Sequence, residues 1–155
     1  MNEKRKKLQV SALKNGTVLD HIPSQFTFHV IKILGLENSN NPIYFGNHLE
    51  SKKLGRKGII KISDKYFAKD EINKIALVAP HATLIEIKDY DVVSKTQVQI
   101  PEQIENIVKC INPKCVTNNQ DIATKFRLIT DHHGKMKLKC HYCEKTMSKE
   151  DIEFI

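Results

Sequence analysis

All four cysteines of the chain fall in its last third, in two short stretches, "KCINPKC" and "KCHYCEK". Cys110 and Cys115 enclose four residues, 24 residues follow, and Cys140 and Cys143 enclose two. Two short-spaced pairs held on turns can bring four thiolates to the corners of a tetrahedron, with zinc–sulfur bonds of about 2.3 Å. Asn112 and Pro113 favour the tight turn that the first pair needs. Four sulfurs leave no position open for water or substrate, so the ion is structural and its binding energy becomes folding energy. Residues 101–155 require such a staple, because a unit of roughly fifty residues buries too little apolar surface to be secure alone. One zinc ion per chain is therefore expected. An iron–sulfur cluster is compatible with the same spacing. A redox role for Cys140 and Cys143 lacks the βαβ setting of thioredoxin-like motifs. His132, His133 and His141 read as exposed turn and loop residues, since four sulfurs already complete the shell.

Charge divides the chain in the opposite sense. The net formal charge is +7 over 155 residues. Residues 1–100 hold sixteen Lys/Arg against ten Asp/Glu, whereas residues 101–155 hold nine against eight. The excess lies away from the cysteines and calls for an anionic partner, a small phosphate or a nucleic acid. The nearly neutral last third has only Phe126, Tyr142 and Phe154 as aromatics, poor material for tracking and stacking a nucleic acid. A nucleic-acid-binding zinc ribbon is thus the competing reading, and docking to another protein suits the cysteine unit better. Lys4–Lys7 resembles the charged start of a signal peptide, but Lys14 interrupts the following stretch before an apolar region forms. No apolar run reaches 18 residues, so no membrane helix is expected. A cytoplasmic location follows, where metal binding is favoured over disulfides.

Hydrophobic periodicity gives residues 1–100 an alternating organisation. Leu8–Leu13 alternates as a strand, and Asn15-Gly16 signals a hairpin into a second strand, "TVLDHI", ended by Pro23. Phe26, Val30, Ile33 and Leu34 predict an amphipathic helix over 24–34 that Gly35 stops. "PIYFGNHL" and "GIIKI" read as strands flanking a basic loop, "ESKKLGRKG". A second helix opens with Asp70 and Glu71, buries Ile72, Ile75, Ala76 and Ala79, and ends at Pro80. "ATLIEIKD" and "YDVVSKTQV" are the last strands. This order predicts an α+β chain: a ferredoxin-like α/β sandwich over 1–100, then a small all-β, rubredoxin-like zinc-ribbon unit over 101–155. In the second unit "ATKFRLIT" and "KMKLKC" flank a turn at "DHHG". No nucleophile–base pair and no open metal position is visible, so a non-enzymatic role is expected.

Two lysines and a histidine, Lys61, Lys95 and His21, stand where strands could converge them on a polyphosphate. Asp20 beside them could accept ribose hydroxyls. "KLQVSALKNGTVLDHIP", "LGRKGIIKI", "LVAPHATLIEIKDYDVVSK" and the two cysteine stretches together resemble the regulatory chain family of aspartate carbamoyltransferase, in order and over nearly the whole chain. That resemblance implies an allosteric subunit in pyrimidine biosynthesis. Its N-terminal domain would bind CTP as inhibitor, ATP as activator and UTP as an aid to CTP. Its zinc domain would dock on catalytic chains, two trimers being joined by three regulatory dimers formed through the N-terminal domains. By resemblance, Lys95 and His21 contact phosphates, Lys61 and Asp20 hold the ribose with Lys61 also near the base, and backbone groups around Val10, Ala12, Leu13, Tyr90 and Val92 read the base edge. Lys57 and Lys7 take positions of further phosphate or second-nucleotide contacts. Asn112, Tyr142 and Glu144 face the catalytic chain. Leu13, Ile85, Glu86, Gln97 and Lys114 depart from residues common at their positions in the family.

Overall fold

The computed structural model describes residues 13–155. The expected strand Leu8–Leu13, except its last residue, lies outside the described residues, as do Lys7, Val10 and Ala12. Five antiparallel strands form the first sheet: β1 (Gly16–Pro23), β2 (Ile43–Ser51), β3 (Gly55–Ser63), β4 (Thr83–Lys88) and β5 (Asp91–Gln97). Their spatial order is β2-β3-β1-β4-β5. Helices α1 (Thr27–Ile33) and α2 (Lys69–Val78) connect β1 to β2 and β3 to β4. This is the ferredoxin-like order with β5 added at one edge.

Period-2 alternation sends one set of side chains from each central strand beneath the helices. Leu19, Ile60, Ile62 and Leu84 meet Val30 of α1 and Ile75, Ala76 and Ala79 at α2, all nearly or fully buried. Gly35, at φ 63°, ends the α1 region in the left-handed conformation that a side chain would resist. Glu71 accepts the Ala68 N–H at 3.1 Å, satisfying a donor that the first turn of α2 leaves open.

Two expectations need correction. Residues 24–34 are not one helix: a 3-10 turn at Ser24–Phe26 precedes α1. The basic segment 50–58 is not an open loop either. β2 continues to Ser51 and β3 begins at Gly55, whose φ of 77° closes a tight turn. Lys57 therefore belongs to a strand.

A second sheet, β6-β7-β8-β9, is built from Gln103–Glu105, Lys125–Thr130, Met136–Cys140 and Thr146–Ser148. The turn between β7 and β8 is held by Asp131, whose Oδ1 accepts the N–H of His133 at 2.8 Å and of Lys135 at 2.9 Å. Cross-strand rows Ile104–Phe126–Cys140 and Leu128–Leu138–Met147 form its inner face. The unit is not purely β, because the helical turn α3 (Val116–Asn119) follows Cys115.

The two units share apolar contacts. Leu77 of α2 is fully buried in the cluster of the second sheet, with Ile104, Val108 and Phe126. Ile100 and Phe154 pack against both clusters. Phe154 pairs with Val108, and the Ile155 N–H donates to the Ile107 carbonyl at 3.0 Å. Among the described residues, no helix is long and apolar enough to cross a membrane. Leu77→Ala should leave a cavity at this junction and cost about 2–5 kcal/mol in urea denaturation; a loss below about 1 kcal/mol would show that the junction carries little stability.

Candidate metal centre and open ligand face

Cys110, Cys115 and Cys140 are buried and Cys143 is partly exposed; their Sγ atoms all lie within 4.8 Å of one another. Cys110 and Cys143 stand 3.7 Å apart, as do Cys115 and Cys140. A disulfide would need about 2.05 Å. A sulfur tetrahedron with bonds near 2.3 Å has edges of about 3.8 Å, so the cluster has the dimensions of a four-thiolate metal site. None of the seven histidines joins it.

The two knuckles are built locally. The Asn112 carbonyl accepts the Cys115 N–H at 3.0 Å, and Asn112 Oδ1 accepts the Lys114 N–H at 3.1 Å. Asn118 donates its amide to the carbonyls of Cys110 and Asn112 at 3.0 and 2.7 Å. Asn119 does the same for Pro113 and Cys115, at 3.0 and 2.9 Å. Asn112 thus shapes the loop around the cluster. Glu144, at φ 64°, makes the second knuckle, its N–H donating to the Cys140 carbonyl at 3.1 Å. Glu144 and Tyr142 lie exposed on the outer side, and the Tyr142 ring meets His141 edge-on at 5.1 Å. The asparagines of α3 escape a motif search, because helical asparagines ordinarily face water.

Without an ion, burial and then the neighbouring thiols push the Cys110 thiol up to about 12, against a backbone hydrogen bond at Asn112. Burial also raises Cys140, against backbone hydrogen bonds from Cys143 and Tyr142. For Cys115, burial is outweighed by hydrogen bonds from Thr117, whose hydroxyl lies 3.2 Å from Sγ, and its pKa falls. Cys143 falls to about 7, because hydrogen bonds from the Lys145 backbone and Asn112 outweigh its burial.

The candidate polar residues of the first unit gather on the sheet face opposite the helices. Register places Lys61, Val18, Ile85 and Lys95 in one cross-strand row. Asp20, Thr83 and Gln97 form the next row. Asp20 and His21 sit in a bulge of β1, where the two residues face the single Ile59 of β3. The bulge turns both side chains toward the same region, with His21 left-handed at φ 57°. Lys57 Nζ pairs with Asp20 Oδ1 at 2.8 Å, with their side chains only 20% and 18% exposed. The same oxygen accepts the His21 N–H at 2.6 Å. Burial lowers the pKa of Lys61, opposed by the attraction of Asp20. His21 Nδ1 lies 3.0 Å from Thr83 Oγ1, a partner that sequence reasoning missed because a strand threonine carries no distinguishing signal.

Leu13 is buried at the start of the described chain. The carbonyl of the next residue, Lys14, accepts the Tyr90 N–H at 2.9 Å, and Asn15 Oδ1 accepts the Asp89 N–H at 3.0 Å. This ties the entry to β1 to the β4–β5 turn, where Tyr90 and Val92 are 66% and 60% exposed. Of the expected residues, Asp20, His21 and Lys57 are in direct contact, Lys61 and Lys95 share their face, and Leu13, Tyr90 and Val92 lie toward the hairpin end.

A cationic sheet face and a separate thiolate cluster coincide with two family models. The model of the allosteric domain of the aspartate carbamoyltransferase regulatory chain matches residues 8–99. That of its metal binding domain matches residues 102–153. This chain belongs to the aspartate carbamoyltransferase regulatory chain family. It is 53% identical over 155 residues to the regulatory chain of Phocaeicola vulgatus, covering 100% of this chain and 99% of that one. The Bacteroides fragilis regulatory chain is 54% identical with 100% of both chains covered. That of Pyrococcus horikoshii is 49% identical over 147 residues, 94% and 95% of the two chains. The chain is thus a regulatory chain with an allosteric and a metal-binding domain.

Because a metal ligates thiolates, an ion must displace the protons that Cys110 and Cys140 retain at neutral pH. Metal uptake at pH 7 should release at least about two protons per ion, and affinity should fall as pH falls. Potentiometric titration in unbuffered solution checks this; pH-independent binding without proton release would contradict thiolate ligation.

Proposed function

We propose that this chain is the non-catalytic allosteric subunit of an aspartate carbamoyltransferase, with nucleotides bound on the open face of the first sheet and catalytic chains held by a structural zinc domain. The observation that carries this reading is the convergence of Asp20, His21, Lys57, Lys61 and Lys95 on one face, far in sequence from the thiolate cluster. Residues 1–100 form the effector domain and residues 101–155 the docking domain. Lys95 and His21 bind phosphates, with Lys57 and Lys7 as further cationic contacts. Lys61 and Asp20 hold the ribose. Val10, Ala12, Leu13, Tyr90 and Val92 surround the base. Charge-assisted contacts of this kind contribute about 1.5–3 kcal/mol where they are shielded from water.

CTP acts as inhibitor, ATP as activator and UTP as an aid to CTP. One zinc ion per chain, bound by Cys110, Cys115, Cys140 and Cys143, stiffens the loops that present Asn112, Tyr142 and Glu144 to the catalytic chain. Two catalytic trimers and three regulatory dimers, the latter joined through the N-terminal domains, make a cytoplasmic holoenzyme of pyrimidine biosynthesis. Nucleotide binding shifts activity only through a difference in affinity between two quaternary states, typically worth about 1–3 kcal/mol, and the effect is reciprocal.

The outward face of the second sheet carries Arg127, Lys137 and Lys139, which favours a second reading as a nucleic-acid-binding ribbon. That reading predicts binding to DNA or RNA that weakens steeply with salt. In holoenzyme assembled from purified chains, Lys95→Ala should raise half-saturating CTP and ATP about tenfold or more with assembly intact. An unchanged nucleotide response would remove Lys95 from the site. Cys115→Ser should abolish association with catalytic trimers, as followed by gel filtration and zinc content; normal holoenzyme from that variant would show that zinc is dispensable for docking.

A further inference from the structure

One short turn touches both halves of the molecule. The Ser24–Phe26 turn joins the end of β1 to helix α1, whose first residue is Thr27. Thr27 is fully buried, and its hydroxyl donates to Asn47 Oδ1 at 2.8 Å. The Asn47 amide returns a hydrogen bond to the Ser24 carbonyl at 3.1 Å. Thr27 also fills the space where Gly58 has no side chain: a Cβ at Gly58 would stand 1.8 Å from Thr27 Oγ1 and 2.8 Å from Thr27 Cβ and Cγ2. Gly58 precedes Ile59 on β3 and follows Lys57, the partner of Asp20. The β2 bulge, Asn47 and His48, faces Gly58 itself. The turn is therefore seated on the strand position beside the Lys57–Asp20 pair.

Its other side meets the metal-binding domain. Lys149, on the 3-10 turn after β9, holds its Nζ 4.5 Å from the centroid of the Phe26 ring. That distance is within the ~6 Å over which a cation is attracted to an aromatic face. Phe26 is itself packed against the core of the first domain. Close-packed interiors pass displacements on rather than absorbing them. A ligand that shifted Lys57 or Asp20 would bear on Gly58 and Thr27 through the shared backbone of β3, and the same turn carries Phe26 beneath Lys149.

We propose that the Ser24–Thr27 turn ties the nucleotide face to the metal-binding domain, with Thr27 and Asn47 as positioning residues on one side and the Phe26–Lys149 contact as the coupling on the other. This rests on the reading of the open face as a nucleotide site. The two sides separate affinity from response. Lys149→Met keeps most of the apolar stem of the side chain and removes the charged end.

The test uses holoenzyme assembled with catalytic chains and CTP as the probe. CTP binding is measured without substrate by calorimetry, and the CTP effect on rate at fixed substrate concentration. Lys149→Met should keep the CTP dissociation constant within about threefold while reducing the effect on rate by about half or more. Lys149→Arg, which retains the cation over the ring, should preserve the response. Thr27→Val should weaken CTP binding several-fold, and Thr27→Ser should restore it. The proposal is overturned if Lys149→Met keeps the full response, if Met and Arg lose it equally, or if Thr27→Val binds CTP normally. Should unmodified holoenzyme fail to bind CTP, the nucleotide reading falls and takes the tie with it. If Lys95→Ala loses binding while both turn variants behave normally, the nucleotide reading stands and the tie alone fails.

Discussion

The grip of four sulfurs on one another's neighbourhood organises the second half of the molecule. Cys140 ends the inner row that begins with Ile104 and Phe126, so the apolar face of the small sheet runs directly into the cluster. Four thiolates this close are tolerable only when a cation neutralises them, because like charges in a buried place are costly. Burial, with the neighbouring thiols adding to it, pushes Cys110 up, whereas hydrogen bonds from the Lys145 backbone and Asn112 bring Cys143 down against its burial. An ion held by these sulfurs would tie α3 and both knuckles to the sheet. Leu77 buries against the apolar side of this unit.

The first half solves a different problem. A cationic face must hold its charges apart from the apolar core yet close enough to act together. Paired irregularities in β1 and β2, on either side of β3, do this. Each contains a histidine in the left-handed region, His21 at φ 57° and His48 at φ 55°. Such residues carry a cost of about 1–3 kcal/mol that surrounding structure must offset. In β1 the bulge brings Asp20 and His21 to one region, where Lys57 and Thr83 fix them. In β2 it frees Asn47 to hold the start of α1.

Much of this was legible in the residues. Gly35 and Pro80 marked where the helical regions end, alternation around Ile60 and Ile62 marked a buried strand, and the cysteine spacing described its own geometry. The family resemblance, carried by "GTVLDHIP" and the two cysteine stretches, agrees with both matched domains. What the sequence withheld is non-local. A bulge is a mismatch of register between two strands, so no property of "LDHI" alone reveals it. The 3-10 turn at Ser24–Phe26 was hidden because Phe26, Val30 and Ile33 keep helical spacing across it. Segment 50–58 was misjudged because lysines and glycines weigh toward loops, although Gly55 needs only a single turn. Thr83, Asn118 and Asn119 gain their roles from a partner distant in sequence or from loop carbonyls, and their own chemistry is generic.

The fit of Thr27 against Gly58 also constrains how this protein can drift. Position 58 cannot gain bulk while Thr27 keeps its own, since the two side chains would occupy one volume. Homologous chains should therefore exchange bulk between these positions as a pair, and an ancestor that crossed from one arrangement to the other passed through a form with a void rather than a clash.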